Sequence, residues 1–127
     1  MNAPTVEPQP HVLFADDDEA FRNGLTGWLT RQGMRVTAVA CGESAAAALC
    51  EQTFDAIIAD IYMPGNTALE FIAQVPQLAD GVPVFLLTGN PTVATAVQAV
   101  RLPVTAYLAK PPNLDRKSTR LELQSRV

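Results

Sequence analysis

Residues 11–19 read HVLFADDDE. Five residues suited to a strand are stopped at once by four acids. Val12, Leu13, Phe14 and Ala15 show no alternation of apolar and polar side chains. The strand they predict is therefore covered on both faces, as strands of parallel sheets are. The same pattern recurs downstream, where FDAIIA (54–59) ends at Asp60, VPVFLL (82–87) at Thr88 and PVTAYLA (103–109) at Lys110. RVTAVA (35–40) is a further strand, and its Arg35 and Thr37 suit an edge position.

Helical spacing fills the intervals. Phe21, Leu25, Trp28 and Leu29 lie on one face of a helix over 20–32, which Gly33 stops. Gly42 opens the alanine-rich ESAAAALCEQ, with Ser44 and Ala48 at close-packing positions. After the turn Pro64-Gly65-Asn66, Leu69, Phe71, Ile72 and Val75 predict a helix reaching Leu78. Val93, Ala96, Val97 and Val100 predict another over 91–101, with Pro91 in its first turn. Asn113 or Asp115 would cap a last one. Strands alternating with helices across short loops make an α/β protein. The expected architecture is a doubly wound five-stranded parallel sheet in the order 2-1-3-4-5, with helices on both faces.

Composition excludes several classes. The 127 residues are 48% hydrophobic and 17% charged, with a mean hydropathy of +0.11, enough apolar material for one core and too little charge for a disordered polyelectrolyte. A net charge of −4 lacks the basic footprint that direct nucleic-acid contact needs. No apolar run approaches the roughly 18–20 residues of a membrane span, and MNAPTVEPQP has no secretory pattern. Cys41 and Cys50 match neither a disulfide framework nor a metal motif, which favours a reducing, cytoplasmic setting. The charge is also split. Residues 1–109 carry a net −7 and residues 110–127 a net +3.

Doubly wound sheets bind ligands beyond the carboxyl ends of their strands. In the expected order, those ends bring Asp16, Asp17 and Asp18 together with Asp60, Thr88 and Lys110. Each residue alone has an ordinary explanation. Acids before a helix cap it, an Asp before Pro-Gly-Asn starts a turn, and a single Lys is usually a solvated charge. At consecutive strand ends they converge. Carboxylates so grouped repel one another unless a cation joins them, and an all-oxygen donor set suits a partly hydrated Mg²⁺. With a fixed ammonium and a hydroxyl donor, the set describes a pocket for a phosphoryl group on a carboxylate.

VLFADDDEAFRNGL (12–25), FDAIIADIYMP (54–64), VFLLTGN (84–90) and AYLAKPP (106–112) together resemble the receiver domain of bacterial two-component response regulators, including chemotaxis regulators. The resemblance covers residues from about 11 to 112 and implies a flavodoxin-like, three-layer receiver sandwich. It makes Asp60 the phosphoacceptor, with Met63-Pro64 downstream of it. It makes Asp16 and Asp17 the acidic pair that holds Mg²⁺ (or Mn²⁺), Asp17 more directly and Asp16 partly through water, with Asp60 and the Tyr62 backbone carbonyl as further protein ligands. Thr88 becomes the hydroxyl that bonds the phosphoryl oxygens, Lys110 the ammonium that pairs with them, and Thr88 with Tyr107 the switch pair. The Lys110-Pro111 bond is expected to be cis. The implied donor is a sensor histidine kinase or a phosphotransfer protein. The implied output is a homodimer or an effector domain, reached through the face of the fourth helix, fifth strand and fifth helix. Nothing in the resemblance calls for nucleic-acid or membrane contact by this domain. Such a domain catalyses only its own phosphorylation and dephosphorylation.

The pattern departs from the family at Thr67-Ala68, where many relatives have Asp-Gly, and at 102–105 (LPVT), where Gly-Ala is common. Residues 1–10 read as a flexible tail and 11–115 as the receiver domain. Residues 116–127 interrupt their few apolar positions with charge and read as a last helix, a linker or a tail left by cloning. Two other readings compete. One is a receiver-like interaction domain that works without phosphorylation, which the complete acidic, Thr and Lys set opposes. The other is a Mg²⁺-dependent phosphohydrolase of the haloacid-dehalogenase type. That type places its nucleophile after the first strand and usually carries a cap, for which 127 residues leave little room. Tyr62 and Asn90 would flank the path of an attacking water, and the bulk of Tyr62 shields it. A protein phosphorylated with a small donor is therefore expected to lose its phosphate slowly to moderately. Decay complete within seconds would refute this.

Overall fold

In a computed structural model of the chain, the structure describes residues 9–61, 67–88 and 104–110, with the backbone alone at 67–69 and 88. The fourth and last helices of the sequence reading, Tyr62, Met63-Pro64, Asn90 and Pro111 lie outside these residues, as does most of the N-terminal tail. Chain order is β1 (His11–Ala15), α1 (Glu19–Arg31), β2 (Arg35–Val39), α2 (Gly42–Glu51), β3 (Ala56–Asp60), α3 (Thr67–Leu78), β4 (Val84–Thr88) and β5 (Ala106–Ala109). All strand pairs are parallel, and the five-stranded sheet runs β2-β1-β3-β4-β5, the order expected from the sequence.

The unbroken apolar runs are explained by two cores, one on each side of the sheet. Successive side chains of a strand point to opposite faces. Leu13, Ile57, Ala59, Val84 and Leu86 face α2 and α3, meeting Ala45, Ala48, Leu49, Phe71, Ile72 and Val75. Val12, Phe14, Ile58, Phe85 and Leu87 take the other face, where α1 supplies Leu25, Trp28 and Leu29. β1 and β3 are buried along their whole length, whereas edge strand β2 keeps Arg35 and Ala38 exposed.

Local chemistry sets the boundaries. Asp18 caps α1 by accepting from the Phe21 N–H at 3.1 Å. The helix closes in a Schellman motif, with Met34 N–H on the Leu29 carbonyl at 3.2 Å and Gly33 N–H on Thr30 at 3.0 Å. Gly33 sits at φ 92°, a conformation that a Cβ would strain. Gly81 does the same at φ 85° in the turn before β4. In α2 it is Ala45, not Ser44, that packs inward beside Ala48. Ser44 is exposed, its hydroxyl 3.4 Å from the Cys41 thiol. α3 carries Pro76 near its end, where the lost N–H breaks only one late helical bond.

Three strands start later than expected. Asp55 precedes β3 and turns its carboxylate onto the His11 N–H at 2.8 Å. Pro83 has no N–H to give the ladder, although its carbonyl accepts from Ile57 at 2.9 Å, so β4 begins at Val84. Before β5, Thr105 donates its N–H to the Val84 carbonyl at 2.7 Å and accepts the Val84 N–H on its hydroxyl at 3.1 Å.

His11 closes the amino end of the sheet. Its Nδ1 lies 3.1 Å from the Thr53 carbonyl, which can only accept, so Nδ1 carries the proton and Nε2 accepts from the Thr37 hydroxyl at 2.8 Å. The ring also packs on Phe54, tilted by 42° with the ring centres 4.4 Å apart. Burial and then the Arg35 charge hold its pKa below the usual histidine value, against smaller opposing effects of Thr53 and Asp55. The unfolded chain therefore binds the proton first as pH falls, so His11 contributes stability above about pH 6.5 that is lost on acidification. Urea midpoints measured between neutral pH and pH 5 are expected to fall more steeply in the wild type than in His11→Gln; equal slopes would refute this assignment. Leu29→Ala, which opens a fully buried site under α1, is expected to cost about 2–5 kcal/mol in the same assay.

Candidate functional site

Four strand ends form one rim. Asp16 follows β1 directly, and its N–H extends the ladder to the Val39 carbonyl at 3.0 Å. Asp60 is the last residue of β3, in register with Leu87. Thr88 is the last residue of β4, in register with Ala109, which immediately precedes Lys110. Sheet topology alone thus gathers residues far apart in sequence.

Asp16 is fully buried and held from four sides. Besides its N–H, its carbonyl accepts from Arg22 Nη1 at 2.7 Å, its Oδ1 from the Asp18 N–H at 2.9 Å and its Oδ2 from Lys110 Nζ at 2.9 Å. Asp60 is 5% exposed and accepts from the same ammonium at 3.1 Å. Asp17 is exposed, and single carboxylate oxygens of Asp16, Asp17 and Asp60 lie within 4.8 Å of one another.

The electrostatics follow from that spacing. Two unit charges about 5 Å apart repel by roughly 3 kcal/mol at an effective dielectric of 20. Lys110 offsets part of this by bridging Asp16 and Asp60. Burial pulls its pKa down, but the hydrogen bonds to Asp16 and Asp60 and their charges outweigh that, and the pKa stands above the ordinary lysine value. The ammonium also lies 4.6 Å from the centre of the Phe21 ring.

Among the described residues carboxylates still outnumber cations, with Asp16, Asp17, Asp18 and Asp60 against Lys110 and Arg22. This donor set fits a hard divalent ion. Asp16 has both oxygens engaged, which suits a water-mediated contact, whereas exposed Asp17 suits a direct one. Tyr107, on β5, is half-buried against the face that α2 and α3 cover, and burial raises its pKa.

Asp16, Asp17, Asp60 and Lys110 are thus brought together, with the Thr88 backbone beside them. Tyr62 lies outside the described residues. Sequence reasoning gave no site role to Phe21 or Arg22. Phe21 counted only as part of an apolar helical face. The available signal was position, since both fall in the first turn after the Asp18 cap, the part of α1 nearest the rim. A polar hollow of about 410 Å³ near His11, Arg35 and Asp55 lies at the opposite end of the strands. There His11 and Asp55 already pair within the fold.

Among the described residues no helix is long and apolar enough to cross a membrane. The family model described as "Response regulator receiver domain" matches residues 12–122. The chain is 32% identical over 122 residues to the regulatory protein VirG of Agrobacterium fabrum, covering 95% of this chain and 48% of that protein. It is 30% identical to the transcriptional regulatory protein FixJ of Bradyrhizobium diazoefficiens, over 88% of this chain and 55% of that one. The chain thus spans about half the length of these relatives. Among solved structures, the chemotaxis response regulator CheY4 of Vibrio cholerae superposes with a TM-score of 0.81 at 26% identity, covering 94% of this chain and all of that one. The receiver domain of sensor histidine kinase PA1611 from Pseudomonas aeruginosa, whose structure has a magnesium ion coordinated in the active site cleft, gives a TM-score of 0.81 at 25% identity, over 93% of this chain and 97% of that one. By its sequence match and its sheet, this chain belongs to the receiver domains of two-component response regulators.

Proposed function

We propose that the domain, spanning residues 11–115, accepts a phosphoryl group on Asp60 from the phosphohistidine of a sensor kinase or phosphotransfer protein. The carrying observation is the Lys110 ammonium held between Asp16 and Asp60, with Asp17 in the same cluster at the carboxyl rim of the sheet. Residues 116–127 lie outside the proposed domain, as a last helix, linker or cloning tail.

In the transfer, an Asp60 carboxylate oxygen forms a bond to phosphorus as the phosphorus–nitrogen bond of the phosphohistidine breaks. The electron pair leaves on the imidazole nitrogen. The protein's part is positioning and charge stabilisation. Lys110 stays charged beside Asp60 and pairs with a phosphoryl oxygen as negative charge gathers there. Thr88 donates its hydroxyl to another. Asp16, Asp17, Asp60 and the Tyr62 carbonyl would hold Mg²⁺, or Mn²⁺, which would neutralise charge on the transferring group. The acyl phosphate then adds charge and acceptor oxygens to the rim. Thr88 is drawn inward, Tyr107 follows, and the surface around β5 shifts to a conformation that a homodimer partner or an output domain reads. The only reactions assigned to the domain are its own phosphorylation and dephosphorylation, in the cytoplasm.

Acetyl phosphate with Mg²⁺ is expected to add one phosphoryl group by mass spectrometry, and beryllofluoride to give a stable adduct. Both should disappear in Asp60→Asn. Lys110→Met is expected to slow phosphorylation at least tenfold, about 1.4 kcal/mol of barrier. No adduct in the wild type would indicate a phosphorylation-independent binding domain. Steady turnover of many phosphate esters would indicate a phosphohydrolase.

A further inference from the structure

Phe21 is a described residue at the rim whose chemistry the transfer reaction does not absorb. Its backbone is fixed, because the N–H at 21 is the donor that the Asp18 cap holds at 3.1 Å. Its ring is fixed from beneath, meeting the fully buried Phe14 edge-on at 6.2 Å and 70°. On the remaining side stands the Lys110 ammonium, 4.6 Å from the ring centre. That distance is within the roughly 6 Å over which the negative face of an aromatic ring attracts a cation.

Lys110 needs such a wall. Its four-carbon stem is flexible, and its side chain remains 20% exposed even when bound to Asp16 and Asp60. Asp16 and Asp60 take two of its three donors. An aliphatic side chain in place of Phe21 would fill the same volume but offer no favourable contact to a charge. The ring occupies the space from which water would hydrate Nζ, and compensates electrostatically for that water.

We infer that Phe21 is a positioning residue for Lys110, holding the ammonium over the rim through its ring face rather than merely packing on the core. The inference rests on the phosphoacceptor reading of Asp60, since it says what the held lysine serves. It also ties the lysine to α1. The helix turn that fixes Asp16 through Arg22 fixes Lys110 through Phe21.

The test uses the full chain with four side chains at position 21. These are the native ring, Phe21→Leu, Phe21→Tyr, and a fluorinated phenylalanine that keeps the ring's shape but drains its face of negative charge. With acetyl phosphate and Mg²⁺, the Leu and fluorinated proteins are expected to phosphorylate roughly two- to five-fold more slowly, the range a partly exposed cation–ring contact supplies. Tyr should retain the native rate. The ε-methylene protons of Lys110 should show a ring-current upfield shift in the native and Tyr proteins and lose it in Leu. Equal rates in all four, with the native protein phosphorylated, overturn the inference and leave the function standing. A slow Leu protein beside a fluorinated one of native rate also overturns it, because shape alone then suffices. A native protein that accepts neither phosphoryl group nor beryllofluoride overturns both. Where Leu disturbs folding, seen as a lowered urea midpoint, the near-isosteric fluorinated ring decides.

Discussion

Lys110 leaves the end of β5 and reaches Asp60 on β3 and Asp16 after β1, passing beyond β4. Two strand spacings, about 10 Å, separate β5 from β3, so only a long side chain working with the sheet's twist spans the gap. The two contacts join residues 50 and 94 positions apart. Neither exists until β5 has docked against β4. The buried carboxylates therefore have their ammonium only in the completed sheet, and an undocked β5 would leave Asp16 and Asp60 as close like charges in a low-dielectric setting, where an unpaired ion is costly.

The first turn of α1 completes the arrangement from the other side. Asp18 spends its carboxylate on the Phe21 N–H and its own N–H on Asp16. Arg22, one residue further on, takes the Asp16 carbonyl. These contacts span two to six positions in sequence, so the turn fixes Asp16 locally while Lys110 fixes it across the sheet. Local and long-range restraints converge on one carboxylate. Asp17, the next residue, stays exposed while one of its carboxylate oxygens lies within 4.8 Å of those of Asp16 and Asp60.

Much of this was legible in the sequence because both strong signals are periodic or positional. Apolar runs without alternation mark strands buried on two faces, and two cores account for them. Acids, Thr88 and Lys110 at strand ends mark a rim once strand order is known, and Asp16, Asp17, Asp60 and Lys110 do cluster there. Strand starts were less legible. Phe54-Asp55 and Val82-Pro83 are apolar or neighbour apolar residues, but tertiary hydrogen bonding removes them from the ladder, through the Asp55 carboxylate on His11 and the missing N–H of Pro83. Ser44 and Ala45 were interchanged because adjacent small residues on an alanine-rich helix carry almost no period. Arg22 and Phe21 escaped notice because their roles depend on the angle at which α1 meets the sheet, which no spacing along one helix encodes.

The two ends of the sheet solve the same problem differently. At the amino end, His11, Thr37, Thr53 and Asp55 match donor to acceptor, with His11 neutral and its Nε2 satisfied by a hydroxyl. At the carboxyl end, four carboxylates meet two cations among the described residues. A carboxylate accepts but never donates while ionised, so the described groups leave that rim with more negative than positive charge. A rim built this way gains from an external cation and, once that cation is present, tolerates an anionic group that the bare carboxylates would repel. The same imbalance that weakens the rim as a piece of structure equips it to receive charge.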